Sequence, residues 1–160
     1  MTNKTHVSMQ VNGESIARSV PHEMLLDEFL RNELRLTGLH VGCDTSQCGA
    51  CTVLINGDAI KSCTIFVAQA DGAAITTIEG VAELPAGRAV VRAFHECHGL
   101  QCGFCTPGFV MSVVELITKN NLIDEKKARN SIEGNICRCT GYHNIVRAII
   151  QAQSELAGCR

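Results

Sequence analysis

No stretch of this 160-residue chain approaches the roughly 20 consecutive apolar residues of a membrane span, so no membrane helix is expected. Met1 to Val11 holds one lysine and no apolar core, which argues against a secretory leader. With 14 basic and 16 acidic residues the formal charge is −2, too little to mark a nucleic-acid or anionic-membrane surface. A glycine-rich phosphate loop is missing, so a nucleotide would have to bind another chain. Internal repeats and low-complexity segments are absent too. What the chain has in excess is cysteine. Ten cysteines without a secretion signal point to metal and a cytoplasmic location, and away from disulfides.

Eight of the ten fall into two compact sets. Cys43, Cys48, Cys51 and Cys63 read C-x4-C-x2-C-x11-C, and Cys102, Cys105, Cys137 and Cys139 read C-x2-C-x31-C-x-C. The first set opens with the spacing of plant-type 2Fe-2S clusters, in which four thiolates hold two irons. Thiolate is the soft ligand such clusters take, and close-set ligands can wrap a cluster only where the backbone bends sharply. Glycines beside both sets, Gly49 and Gly108 among them, permit this. Two such centres in one small chain predict a relay for single electrons.

Ser46 and Gln47 are placed to present amides and side chains to the first cluster, and hydrogen bonds to sulfur raise a cluster's potential. Arg138 lies between Cys137 and Cys139. Either its charge lifts the second cluster above the roughly −400 mV of plant-type ferredoxins, or it pairs with a carboxylate on a partner.

Structural zinc competes for the second set, because C-x2-C pairs occur in zinc ribbons. The C-x4-C-G-A-C segment is far less zinc-like, and the two sets together favour iron. His95-Glu96-Cys97-His98 spaces its histidines three apart, not the four of H-E-x-x-H, and lacks the H-x-E…P-C-x-x-C order of deaminases. A Rieske centre needs two histidine ligands, which complete four-cysteine sets leave no room for. These histidines are expected at the surface or an interface, with Cys97 a packed thiol and Cys159 a tail thiol.

The chain divides into residues 1–80 and 81–160, two halves whose small cores leave metal–thiolate bonds to supply folding free energy. In the first, Val7, Met9 and Val11 alternate before Asn12-Gly13, a hairpin signal, and Glu14 to Val20 returns with Ile16 and Val20 inward. Leu25, Leu26, Phe29, Leu30 and Leu34 predict a helix over residues 23 to 35. Thr52 to Ile55, a turn at Asn56-Gly57, Asp58 to Ser62, and Ala74 to Ile78 complete a small sheet curled around that helix. Cys63 to Ala70 is too short to classify.

Glu79 to Gly87 reads as a linker. Helices follow: Arg88 to Cys97, a second opening at Thr106-Pro107 with Thr106 as N-cap, Asp124 to Glu133, and Gly141 to Leu156. The four, with both cysteine pairs at their flanking turns, form a small bundle around the second cluster.

Three segments carry a resemblance. Val41-Gly42-Cys43-Asp44-Thr45-Ser46-Gln47-Cys48-Gly49-Ala50-Cys51-Thr52-Val53 resembles the first cluster loop of the molybdenum hydroxylases, the family of xanthine dehydrogenase. Gln101-Cys102-Gly103-Phe104-Cys105-Thr106-Pro107-Gly108 and Gly134-Asn135-Ile136-Cys137-Arg138-Cys139-Thr140-Gly141-Tyr142 resemble its second. The resemblance covers essentially the whole chain.

It implies an α+β fold, an N-terminal ferredoxin-like β-grasp domain followed by a four-helix bundle, each holding one 2Fe-2S cluster. Cys43, Cys48, Cys51 and Cys63 would hold the cluster nearer the flavin, and Cys102, Cys105, Cys137 and Cys139 the one nearer molybdenum. Gln101 matches a glutamine that contacts the molybdenum–pterin cofactor, with Cys139 on the same side. The chain then looks like the separate small subunit of a dimer of heterotrimers. A large subunit would carry molybdenum and a medium subunit FAD. Asp44-Thr45-Ser46-Gln47 looks most like carbon monoxide dehydrogenases; aldehydes, xanthine and N-heterocycles are the alternative substrates. A free-standing electron carrier is the alternative role.

Overall fold

In the computed structural model, which describes residues 3–120 and 122–158, Val7, Met9 and Val11 lie buried on one face of strand β1 (Lys4–Val11). Asn12 and Gly13, at φ of 52° and 86°, make the tight turn that Asn-Gly favours. The chain returns as β2 (Glu14–Pro21), with Val20 buried and Ile16 partly so. A second hairpin, β3 (Thr52–Ile55) and β4 (Asp58–Lys61), turns at Asn56-Gly57. Strand β5 (Ala74–Thr76) joins the two hairpins, giving the order β2-β1-β5-β3-β4. The sheet is mixed, because β5 runs parallel to β1 and antiparallel to β3.

The helix predicted over residues 23 to 35 forms differently. Leu25 is extended and bridged to Phe66, and only Leu26–Glu28 (α1) is α-helical before a π-helix over Phe29–Glu33. The Leu34 N–H reaches the Phe29 carbonyl at 3.1 Å, the wider bond of π winding, and Arg35 at φ 60° ends it. This winding keeps Leu26, Phe29 and Leu30 all buried against the sheet. It also lets the Arg31 guanidinium donate to the carbonyls of Thr37, at 2.9 Å, and Leu39, which tethers the run entering the first cysteine loop. Strands β4 and β5 stop short of Ser62 and Ile78, and the unclassified stretch forms 3-10 turns at Ser62–Thr64 and Val67–Ala70. Ser62 leaves the strand because its hydroxyl and N–H both bind the Cys51 carbonyl, at 2.8 and 3.3 Å.

Glu79 to Gly87 is no linker. Ile78–Glu83 is a 3-10 helix with Val81 buried, and Pro85 stands in the first turn of α2 (Pro85–Glu96). A Cβ on Gly87 would lie 1.9 Å from the Val81 carbonyl oxygen, so glycine serves close packing here and not a flexible joint. Helices α3 (Thr106–Lys119), α4 (Glu125–Ser131) and α5 (His143–Gly158) follow. At α3 the N-cap is Cys105 and not Thr106, which is already helical. Asp124 caps α4, accepting from the Lys127 N–H at 2.7 Å.

One core lies against the sheet around Leu26, Phe29 and Val53; the other gathers Phe94, Phe109, Met111 and Ile149 among the helices. Strand β3 serves both by its alternation, sending Val53 into the first and Leu54 into the second, with α3 packed against it. Among the described residues no helix is long and apolar enough to cross a membrane.

Candidate metal centres

Cys43 and Cys48 lie in the loop that leads to β3, Cys51 directly before that strand, and Cys63 in the turn after β4. Pairing of Thr52 with Lys61 brings Cys51 and Cys63 together across the hairpin. The thiols meet in two pairs, Cys43 with Cys48 and Cys51 with Cys63. Ser46, at φ 59°, turns the loop so that backbone N–H groups of Cys48, Thr45 and Gln47 converge on Cys43, that of Cys48 at 3.4 Å. These donors, Cys48 foremost, lower the Cys43 thiol to about 6 and favour its thiolate form. Burial, and then the Cys51 thiol, pushes Cys63 up to about 12 against an opposing hydrogen bond from the Ser46 side chain. Asp27, buried nearby, adds to that rise, and its Oδ1 has no hydrogen-bond partner.

Cys102 and Cys105 stand in the turn that opens α3, and Cys137 and Cys139 in the turn before α5. Cys102 and Cys139 have their sulfurs 3.5 Å apart, and Cys105 pairs with Cys137. Burial pushes Cys137 up, but the hydroxyl and N–H of Thr140, at 3.1 and 3.5 Å, and the Cys139 N–H outweigh it and leave the thiol lowered. Cys105 rises to about 12 through burial and then its neighbour Cys137. The Cys137 N–H donates to the Tyr142 hydroxyl at 2.9 Å, and the Tyr142 ring packs edge-on to Phe109, anchoring this loop to the helical core.

Neither set closes on a single point. Among the described residues no three His, Cys, Asp or Glu side chains are arranged to hold one metal ion, whereas each set presents two pairs of thiols. Tetrahedral zinc needs its donors around one centre. A diiron core can offer each iron two thiolates, so these donor sets fit a 2Fe-2S cluster and fit zinc poorly. Loading such a site removes the thiol protons, with Cys63 and Cys105 the most reluctant to give them up.

The two loops are bonded to one another. The Ile136 N–H donates to the Cys48 carbonyl at 2.9 Å, which leaves one hydrogen bond and one peptide unit between Cys48 and Cys137. Asn135, buried, donates from Nδ2 to the Gly49 carbonyl at 3.0 Å and accepts from the Ser112 hydroxyl at 2.9 Å. A Cβ on Gly108 would lie 2.1 Å from that same Gly49 oxygen, so glycine there lets α3 press its first turn against the loop. His40 stacks on Phe104 at 4.6 Å and donates from Nδ1 to its carbonyl at 2.7 Å. A groove of about 220 Å³ between the sets is lined by Cys48, Phe104, Cys105, Arg138 and Cys139.

Asn135→Leu should leave the Ser112 hydroxyl without its acceptor and remove the bond that ties Asn135 to the Gly49 carbonyl, which keeps its two bonds from Thr52. The cost should be about 1–3 kcal/mol, read as a lower denaturation midpoint with unchanged slope. A midpoint like that of the unsubstituted chain would refute the bridging role.

Gln101, Cys102, Arg138 and Cys139 are exposed, as are Leu100, Phe104 and Ile136, and of these Cys102, Phe104, Ile136, Arg138 and Cys139 line the groove together. His95 and His98 are exposed as expected, and Cys97 is buried with its thiol 3.0 Å from Gln151 Oε1. Cys159 lies outside the described residues. No role for Lys61, Arg31 or Asn135 was legible in the sequence. Only Asn135, inside a quoted motif two residues before Cys137, carried any signal.

Residues 9–77 match the family described as a 2Fe-2S iron-sulfur cluster binding domain, and residues 77–150 that described as a [2Fe-2S] binding domain. The chain is thus a protein of two iron–sulfur domains in series. It is 49% identical over 156 residues to caffeine dehydrogenase subunit gamma of Pseudomonas sp. strain CBB1, covering 94% of this chain and 93% of that one. Its fold matches quinoline 2-oxidoreductase from Pseudomonas putida 86 with a TM-score of 0.90 and 36% identity, over 98% of this chain and 97% of that one. It matches aldehyde oxidoreductase from Desulfovibrio gigas at 0.89 and 38% identity, over 98% of this chain but only 18% of the other. The chain belongs to the small iron–sulfur subunits of the molybdenum hydroxylase family, subunits of oxidoreductase complexes.

Proposed function

We propose that this chain is the electron-transfer subunit of a molybdenum- and flavin-containing hydroxylase. Cys43, Cys48, Cys51 and Cys63 hold one 2Fe-2S cluster in a domain of residues 1–80, and Cys102, Cys105, Cys137 and Cys139 hold the other in residues 81–160. Electrons pass from a molybdenum–pterin cofactor on a large subunit to FAD on a medium subunit, within a dimer of heterotrimers in the cytoplasm. The observation that carries this reading is the pairing of all eight thiols into two sets, with the Cys48 loop of the first joined directly to the Cys137 turn of the second by the Cys48–Ile136 hydrogen bond.

A bound 2Fe-2S cluster supplies uptake and release of single electrons. The chain's own residues orient and tune that chemistry. Amides at Cys43, and Thr140 at Cys137, put partial positive charge on sulfur, which favours the reduced state. Gln101 contacts the pterin from the exposed second-set surface, with Cys139 beside it. The apolar side chains of Leu100, Phe104 and Ile136 around that surface support burial against the large subunit and weigh against a free-standing carrier.

For the substrate, two relatives are named for caffeine and quinoline, and this favours an N-heterocycle over carbon monoxide. The carbon monoxide reading rests on Asp44-Thr45-Ser46-Gln47 alone, a stretch beside a cluster and not a substrate pocket. Purified complex should contain about four irons and about four labile sulfides per copy of this chain, with two distinguishable 2Fe-2S signals by electron paramagnetic resonance. Zinc without labile sulfide would end the reading.

A further inference from the structure

We propose that Lys61 is a positioning residue for the first cluster: its ammonium group grips two consecutive carbonyls and thereby aims the N–H groups of the same two peptide units at Cys43. The proposal rests on the assignment of Cys43, Cys48, Cys51 and Cys63 as cluster ligands.

Lys61 is the last residue of β4, fixed by its pairing with Thr52 of β3. Its Nζ donates to the Ser46 carbonyl at 3.0 Å and to the Gln47 carbonyl at 3.2 Å. A trans peptide is planar, so its C=O and its N–H point in opposite directions. The N–H groups opposite these carbonyls belong to Gln47 and Cys48, and both donate to the Cys43 sulfur, that of Cys48 at 3.4 Å. One cation outside the loop therefore faces one sulfur inside it, with two peptide dipoles aligned between them.

Two consequences follow from that alignment. Linked hydrogen bonds polarise one another, so each N–H is a better donor when its own carbonyl is engaged. Two neighbouring carbonyls pointing the same way also repel, and the ammonium group they share relieves that repulsion. The second set is built otherwise. There the Thr140 hydroxyl and N–H reach Cys137 directly. Because N–H···S bonds favour the reduced cluster, Lys61 raises the potential of the first cluster and leaves the second alone.

The test is a redox titration of the intact complex followed by electron paramagnetic resonance. In Lys61→Met the first-cluster reduction equilibrium should fall about tenfold, 59 mV for one electron, while the second cluster stays put. Pulsed measurements should show weakened couplings to the Gln47 and Cys48 amide protons, and Lys61→Arg, which can still grip both carbonyls, should restore potential and couplings. An unmoved first cluster, or an equal shift in both, overturns the proposal. So does a shift with intact amide couplings, which would make Lys61 a bare charge. If Lys61→Met fails to retain the first cluster, Lys61→Gln carries the test. It loses the grip on at least one carbonyl, so a wild-type potential in it overturns the proposal. Absence of any first-cluster signal from the unsubstituted complex overturns the cluster assignment and this proposal together.

Discussion

In Cys137→Ser the iron held by this chain should drop from about four atoms to about two, and substrate should no longer reduce flavin above background. Molybdenum should still be reduced by substrate in every variant that assembles, because the proposed function puts bond breaking on another chain. The two readings separate in one stopped-flow experiment that follows the metal and flavin absorbances together. Cys137 is the telling position because three donors already converge on its sulfur, the Thr140 hydroxyl and N–H and the Cys139 N–H. Serine places a less polarisable oxygen there, which diiron clusters accept poorly. Cys102→Ser should give the same kinetic loss with a smaller cost in stability, since Cys102 is exposed and Cys137 is buried in the helical core. Flavin reduction at the normal rate in a chain lacking the second cluster would remove this chain from the electron path.

The parts of the fold that were legible in the sequence are those decided locally. Asn12-Gly13 and Asn56-Gly57 dictate their turns from two residues each, and the alternation of Val7, Met9 and Val11 fixes which face of β1 is buried. The π winding at Phe29–Glu33 was not legible. The same apolar spacing suits an α-helix, and the choice is made by the sheet beneath and by Arg31 reaching Thr37 and Leu39. Pro85 and Gly87 misled for a related reason. Proline serves a linker and the first turn of a helix equally well, and only the Val81 carbonyl pressed against Gly87 separates the two. At the site, spacing exposes ligands but not their supports. Lys61 meets Ser46 and Gln47, and Asn135 meets Gly49, only after the strands and helices have paired.

Gly49→Ala should strike stability and electron transfer at once. The residue sits at φ 70°, where a side chain costs about 1–2 kcal/mol. Its Cβ would also lie 2.4 Å from the Gly134 carbonyl oxygen and 2.6 Å from Asn135 Nδ2, and such overpacking adds about 1–3 kcal/mol. The sum, about 2–5 kcal/mol, is a large part of what holds a domain of this size folded. Gly13→Ala is the control, because at φ 86° it carries the backbone strain while nothing lies within 4 Å of its Cβ. Denaturation midpoints should fall about twice as far or more in Gly49→Ala as in Gly13→Ala. Relief of the clash can come only by parting the loops, which strains the Asn135–Gly49 and Ile136–Cys48 bonds. The magnetic interaction between the two clusters should therefore weaken in Gly49→Ala and persist in Gly13→Ala. Equal midpoints and an unchanged interaction in both variants would mean that the contact between the two cysteine loops does not set the spacing of the clusters.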